Sequence, residues 1–441
     1  MVKKIKNSKI ESITNRLFLL LVFLLPLQLG RHFWPSWSYV WGLRIDYLAP
    51  TIYLTDLLVI AILGLWGVEK ISNFQFKIEN WWRGYWWIFA FFIYLLVSSF
   101  FAQNSGVAFY KLIKIIELAL LGLYVAKNHS SLFTMPASRH SFEKHPSLVL
   151  AVVYSSLIAI AQFLKQGSLN GVFWYLGERT FNASTPGIAK AIVGGRLVMR
   201  PYATFPHPNV LAGFILVSLI LISSSNILKW LAIILGTGTV VISFSRSVWL
   251  VGSAIGLLVL LKHLWDSERI VKRHLRWWSA SWRRCLRGGG VLLMLIILFG
   301  IFCFASRLST NQAISQRLQL IKATGLMIKT APLAGVGLNN FIVHLSELGQ
   351  TSEAIRFLQP VHNLFLLVAA ETGLIGLAIF LWFLMLTYKK LLITNNQLLI
   401  VALSAILALG FFDHYWFTLQ QTQLLFAIVL GLSWRDLTRR R

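Results

Sequence analysis

Apolar runs of near-membrane length alternate with short polar gaps along almost the whole chain. They fall near residues 17–30, 53–68, 85–102, 108–126, 147–164, 208–224, 227–243, 247–261, 291–305, 363–387, 397–411 and 418–433. A bilayer core is crossed by roughly 20 apolar residues in a helix, and only helices or closed barrels satisfy their backbone polar groups there. The pattern therefore predicts an all-α, polytopic integral membrane protein of about 12 transmembrane helices. Two outer loops, near 165–207 and 306–361, are long; residues 1–441 read as a single membrane domain.

Composition agrees with that pattern. Of the 441 residues, 57% are hydrophobic and 13% charged, with a mean hydropathy of +0.68; soluble domains carry roughly 25% charged residues. The start, MVKKIKNSKIESITNRLFLLLVFLLPLQLG, has the basic flank and short apolar core of a signal peptide. No small-residue cleavage site follows, so a retained first helix is expected. Only Cys285 and Cys303 are present, one in a basic loop and one in an apolar run, which offers no disulfide framework or cysteine metal site.

Charge sets the expected orientation. With both termini cytoplasmic, the inner segments hold most of the 41 Lys and Arg, as the positive-inside rule requires. The net charge of +26 is mostly explained by the inner side, whose cations are concentrated in the run Lys262–Arg287, read as a cytoplasmic loop held against anionic membrane lipids rather than a nucleic-acid surface. The two long outer loops break the rule. One carries Lys165, Arg179, Lys190, Arg196 and Arg200 against Glu178; the other carries Arg307, Arg317, Lys322, Lys329 and Arg356 against Glu347 and Glu353. Excess cation on the disfavoured face points to an anionic ligand.

Within the second outer loop, Ile314, Leu318, Ile321 and Ile328 fall near one helical face and Ser315 stands where a cap would. An amphipathic helix on the outer interface is expected there. The following GVGLNN lacks the strand context and lysine of a nucleotide loop.

Three outer residues stand out for chemistry. Arg246 lies between two apolar runs joined by almost nothing, and an ionisable group so placed is a functional candidate; the alternative is an arginine snorkelling from a helix end. Arg200 stands just before a helix start at Pro208-Asn209, or is an ordinary loop cation. His362 heads an apolar run and would act as a base near neutral pH, with Asn363 beside it to orient a ring or ligand; its alternative is a water-satisfied interfacial histidine. The outer acids Asp46, Asp56, Glu178, Glu347, Glu353, Glu371 and Asp413 form no D-x-D or metal-ligand spacing, so no metal and no cofactor is expected. Glu371 lies about 14 Å from His362 along an ideal helix, which disfavours direct pairing.

Four blocks, RPYATFPHPNVLAGF, SFSRSVWLVGSAIGL, TAPLAGVGLNNF and HNLFLLVAAETGLIGL, occur in that order over about residues 196–385. Together they resemble the O-antigen ligase and polymerase superfamily of bacterial membrane glycosyltransferases, whose architecture is GT-C-like. The resemblance implies an inverting, metal-independent transfer of glycan from a polyprenyl diphosphate carrier to an acceptor hydroxyl on the outer face of the cytoplasmic membrane. It also implies that Arg200, Arg246 and His362 are essential. Arg196, Asn209, Arg317 and Asn363 are the further candidates for substrate contact. His207 departs from the family's more usual small or amide residue at that position.

Whether the acceptor is a lipid, a second glycan or a protein separates ligase, polymerase and protein O-oligosaccharyltransferase, and one sequence does not choose among them. A lipid-linked glycan transporter is the alternative from another class. It would place charges at mid-membrane depth, where Lys111, Lys114 and Glu117 are the one such cluster, and would show an internal repeat, which this chain lacks. A purely structural membrane scaffold is the remaining reading.

Overall fold

The computed structural model describes residues 2–72, 79–128, 146–222, 227–271, 311–349 and 358–435. The expected span at 291–305 and most of the basic run 262–287 lie outside them. The described residues are mostly helical: α1 (Val2–Phe23), α2 (Leu54–Ser72), α3 (Glu79–Phe100), α4 (Ser105–Asn128), α5 (Ser147–Lys165), α6 (Pro208–Leu221), α7 (Ile227–Ile242), α8 (Arg246–Val271), α9 (Asn311–Thr330), α10 (Phe341–Gly349), α11 (Leu364–Ile393), α12 (Gln397–Gly410), α13 (Tyr415–Thr418) and α14 (Gln420–Ser433). Among them α5 and α11 are long and apolar enough to cross a membrane, and five shorter apolar helices accompany them. These fit membrane insertion. Most expected runs coincide with helices, but the first helix ends at Phe23, short of residue 30, where Pro26 cannot donate to a continuing helix.

The chain divides into two compact units, one of Met1–Pro136, Thr310–Ile400 and Gly410–Arg441, the other of Ala137–Ser309 and Val401–Leu409. In the first, α1 packs on α2, α4 on α14 and α9 on α11. Short antiparallel pairs join β1 (Gly30–His32) to β4 (Thr51–Tyr53) and β2 (Tyr39–Val40) to β3 (Leu43–Arg44). Its core buries Leu48, Leu320, Phe341, Leu345, Val361 and Leu367.

Helix α9 matches the expected amphipathic segment in extent but not in facing. It starts at Asn311, so Ser315 lies inside it, and it buries Leu320, Ala323, Thr324 and Met327 while Leu318 and Ile321 are exposed. The helix carries two apolar stripes, and only packing against α11 decides which is covered.

The charges at mid-chain depth are paired. Lys114 Nζ bridges Asp56 of α2 and Glu117 at 2.7 Å each, and Gln420 of α14 also donates to Asp56. Lys111 donates to the Phe417 carbonyl and lies 4.4 Å from that ring's centroid. This joins α2, α4 and α14, the pairing a buried charge requires.

Helix α11 is broken at Gly373, where φ is 66°. The carbonyls and amide freed by the break are taken up by the loop 332–337 and by Tyr94 of α3. Val336 N donates to Ala370 O at 2.8 Å, Gly337 N to Glu371 O at 3.0 Å, Leu374 N to Pro332 O at 2.8 Å and Tyr94 Oη to Thr372 O at 2.5 Å. A Cβ on Gly373 would stand 2.1 Å from Leu333 O, and one on Gly335 2.4 Å from Gly373 N, so both glycines are demanded by close backbone approach. The loop therefore serves the helix that begins beside His362.

In the second unit α5 packs on α7, and α7 on α6. Strands β5 (Lys190–Val193) and β6 (Arg196–Met199) form a hairpin around Gly194 and Gly195, both at positive φ.

Candidate functional site

The second unit brings Arg200 and Arg246 together. Arg200 follows β6 directly, tied by its amide to Ala189 O at 3.0 Å. Beneath it Phe181, Met199 and Tyr202 form a buried cluster. Gln162 of α5, fully buried, fixes the next turn: its Oε1 accepts from Tyr202 N (3.0 Å) and Ala203 N (2.7 Å), and its Nε2 donates to Glu178 Oε1 (2.7 Å). Glu178, the one acid of this loop, accepts also from the Leu169 and Asn170 amides and so serves backbone rather than Arg200.

The Arg200 guanidinium is held by neutral oxygens. Nε donates to Ser243 O and Nη2 to Asn209 Oδ1, each at 2.6 Å. Burial pushes its pKa down to about 10, with Tyr202 opposing and the charge of Arg246 adding to the fall. Two cations that repel each other, with neutral acceptors on the buried one, favour an anion between them.

Both helix starts contribute. Pro208 opens α6, and His207 caps it, its Nδ1 accepting from Asn209 N at 3.1 Å. The imidazole thus does at this position what an amide oxygen does elsewhere. Arg246 is exposed at the first residue of α8, after a tight turn in which Phe244 has φ 50°. Amide-rich helix N-termini attract negative charge. Asn209 is thereby placed in the site, through Arg200. Arg196 is not gathered with them: it lies exposed at the hairpin turn, opposite Val193.

The first unit holds His362. Asn363 caps α11, accepting from Leu366 N at 2.9 Å, and its amide donates to Phe411 O at 3.1 Å. Asn363 is therefore engaged in structure, and its second bond ties down the turn that carries Asp413 and His414. His362, Asp413 and His414 offer ligand atoms all within 4.8 Å of one another. The two imidazoles meet edge to face at 5.5 Å, and Tyr47 meets His414 at 5.6 Å. From the sequence alone Asp413 reads as one outer acid among several and His414 belongs to no motif; the available signal is a titratable Asp-His pair between two apolar runs.

Burial lowers the His362 pKa below its ordinary value; Asp413 opposes this and the cation of Arg317 adds to it. His414 is pushed down to about 4 by burial, against the pull of Asp413. Arg317 of α9, exposed, thus acts on His362 through its field. Glu371 does not pair with His362. It is buried and accepts from the Asn339 and Phe341 amides at the start of α10.

The described residues are mostly helical, with apolar helices that fit membrane insertion, and they gather an arginine pair in one unit and a histidine–carboxylate group in the other. Residues 212–381 match the family model described as O-antigen ligase. Over this stretch the chain is similar to the O-antigen ligase family, which supports a membrane glycosyltransferase of ligase or polymerase type. The match includes Arg246, Arg317, His362 and Asn363; Arg196, Arg200 and Asn209 precede it, and Asp413 and His414 follow it. No curated protein matches the chain.

Proposed function

We propose that the protein transfers a glycan from a polyprenyl diphosphate carrier to an acceptor hydroxyl at the outer face of the bacterial cytoplasmic membrane, in an O-antigen ligase-like reaction. The observation that carries this reading is the Arg200–Arg246 pair, whose buried member is held by two neutral oxygens at 2.6 Å and keeps its remaining N–H groups for an anion. A diphosphate fits that demand in charge and in the planar spacing of guanidinium donors.

In this scheme Arg200 and Arg246 grip the diphosphate and Asn209 orients Arg200. The acceptor oxygen attacks the anomeric carbon from the face opposite the diphosphate, so configuration inverts. The carbon–oxygen bond to the carrier breaks, its electron pair leaves on the diphosphate, and the two guanidinium groups stabilise that charge. His362 takes the hydroxyl proton, and a lowered pKa keeps its ring neutral and ready at physiological pH. Arginines supply the charge stabilisation that a divalent ion gives in other transferases, so the reaction is metal-independent. The partners are a lipid-linked glycan donor, a lipid, glycan or protein acceptor, and the membrane lipids; nucleic acid has no part.

The test is transfer by purified protein of a labelled glycan from its polyprenyl diphosphate to a glycolipid, to a second glycan or to a protein, with and without chelator. Product on any one acceptor, undiminished by chelator, supports the reading and identifies the acceptor. Carrier bound but never released with any acceptor overturns it and favours transport. A need for added magnesium or manganese overturns metal independence.

A further inference from the structure

The trio His362, Asp413 and His414 has a chemistry that glycan transfer does not use. It combines two imidazoles and one carboxylate, with every pair of ligand atoms within 4.8 Å. Three ligands of that kind plus one open position is the donor set of zinc sites that keep a place for a fourth group, whereas magnesium and calcium prefer oxygen alone. Bonds of 2.0–2.2 Å would set tetrahedral ligand atoms about 3.3 Å apart, so the trio must close by up to about 1.5 Å through side-chain rotation.

Two details orient it for a metal. His414 Nδ1 lies 2.8 Å from Thr418 Oγ1, which leaves Nε2 on the side of Asp413, 3.9 Å from Oδ1. A metal-bound histidine is held in just this way, by a partner on its other nitrogen. His362 Nδ1 is buried and has no hydrogen-bond partner among the described residues. An unmet buried nitrogen is costly, and turning that nitrogen onto an ion at the trio would relieve it.

The geometry points to a site for a zinc-class divalent ion on His362, Asp413 and His414, whose occupancy removes His362 from proton transfer and stops the enzyme. The binding half stands on the cluster alone; the inhibitory half rests on the proposed role of His362. Neutral imidazole and carboxylate ligands of this set select zinc or cobalt over the abundant hard cations, so inhibition would be specific to transition metals.

The experiment uses the full-length, untagged protein in nanodiscs, with zinc followed by equilibrium dialysis and cobalt(II) as a spectroscopic probe of tetrahedral ligation. One equivalent is expected to bind, transfer to fall as it binds, and chelator to restore transfer. His414→Ala should weaken zinc binding at least about 10-fold. Thr418→Ala, which leaves all three ligands in place, should weaken it by about 10- to 100-fold through loss of ring orientation. Equal zinc affinity in wild type and both variants, or no tetrahedral cobalt spectrum, overturns the site. If zinc binds as expected and transfer continues, the site stands and the role of His362 as base falls.

Discussion

The arginine site and the histidine site are built by opposite means. Around Arg200 and Arg246 one stretch of chain supplies nearly everything: Gln162, the hairpin, the Asn209 amide and the Ser243 carbonyl all lie within residues 162–246. Two helix starts bring fixed partial charge without titrating. The histidine site instead depends on a turn about fifty residues further along the chain, held by Asn363 to Phe411 O, and it consists of groups that titrate and repel or attract one another. An anion site needs permanent charge, which local structure can build. A proton-transfer site needs a tuned charge, and the tuning groups come from wherever packing delivers them.

The sharpest way to break the comparison is to remove the base. His362→Ala should cut single-turnover transfer by about 100- to 10,000-fold while binding of a labelled polyprenyl diphosphate glycan changes little, because a base acts in the transition state. Loss of carrier binding in the folded variant would make His362 a phosphate ligand and merge the two sites' roles.

Arg200→Lys and Arg246→Lys should show the converse pattern. Lysine keeps the charge but loses the planar fork; at Arg200 it also loses the bonds to Ser243 O and Asn209 Oδ1. At roughly 1.5–3 kcal/mol for hydrogen bonds to charged groups, carrier affinity should fall about 10- to 100-fold, read by the same binding assay. Unchanged carrier affinity with lost turnover would move the arginines to the acceptor side.

The difference between the sites also explains what the sequence disclosed. Arg200 and Arg246 stood next to helix-start signals, Pro208-Asn209 and a tight gap between apolar runs, and local signals of that kind survive folding. The apolar runs were legible for the same reason, since periodicity and length are local. Asp413 and His414 were not, because their place beside His362 depends on ties between distant stretches of chain, such as Asn363 Nδ2 to Phe411 O. The facing of α9 was hidden likewise: Leu318 and Ile321 are as apolar as Leu320 and Met327, and only the packed partner distinguishes them. Asn363 has a local role that its place before an apolar run also signals: its side chain caps α11.

That last point can be sharpened by substitution. Asn363→Ala should lower thermal stability by about 0.5–2 kcal/mol through loss of the cap, and should reduce turnover through loosening of the Phe411 turn. Asn363→Asp retains a good cap but loses the amide donor to Phe411 O. Recovery of stability without recovery of turnover is expected. Full recovery of both would show that the cap alone matters and that the tie to the Asp413 turn does not.

The smallest effect is expected in the pH profile, and it separates tuning from binding. A base must be neutral to accept a proton, so transfer should rise with pH through the His362 pKa, which burial and Arg317 hold below the ordinary 6.5 and Asp413 draws upward. Arg317→Gln removes a cation that disfavours protonation. The His362 pKa then rises, and the acid limb of the turnover profile should move to higher pH. Asp413→Asn removes the opposing carboxylate, so its acid limb should move to lower pH, with turnover also reduced if the carboxylate stabilises the protonated ring as it forms. Single-turnover rates across the acid range, at saturating carrier, read both shifts without interference from the arginine pair. If Arg317→Gln left the limb in place but raised the acceptor concentration needed for half-maximal rate, Arg317 would be a substrate contact rather than a tuning charge, and the histidine site would then hold a permanent-charge element like its counterpart.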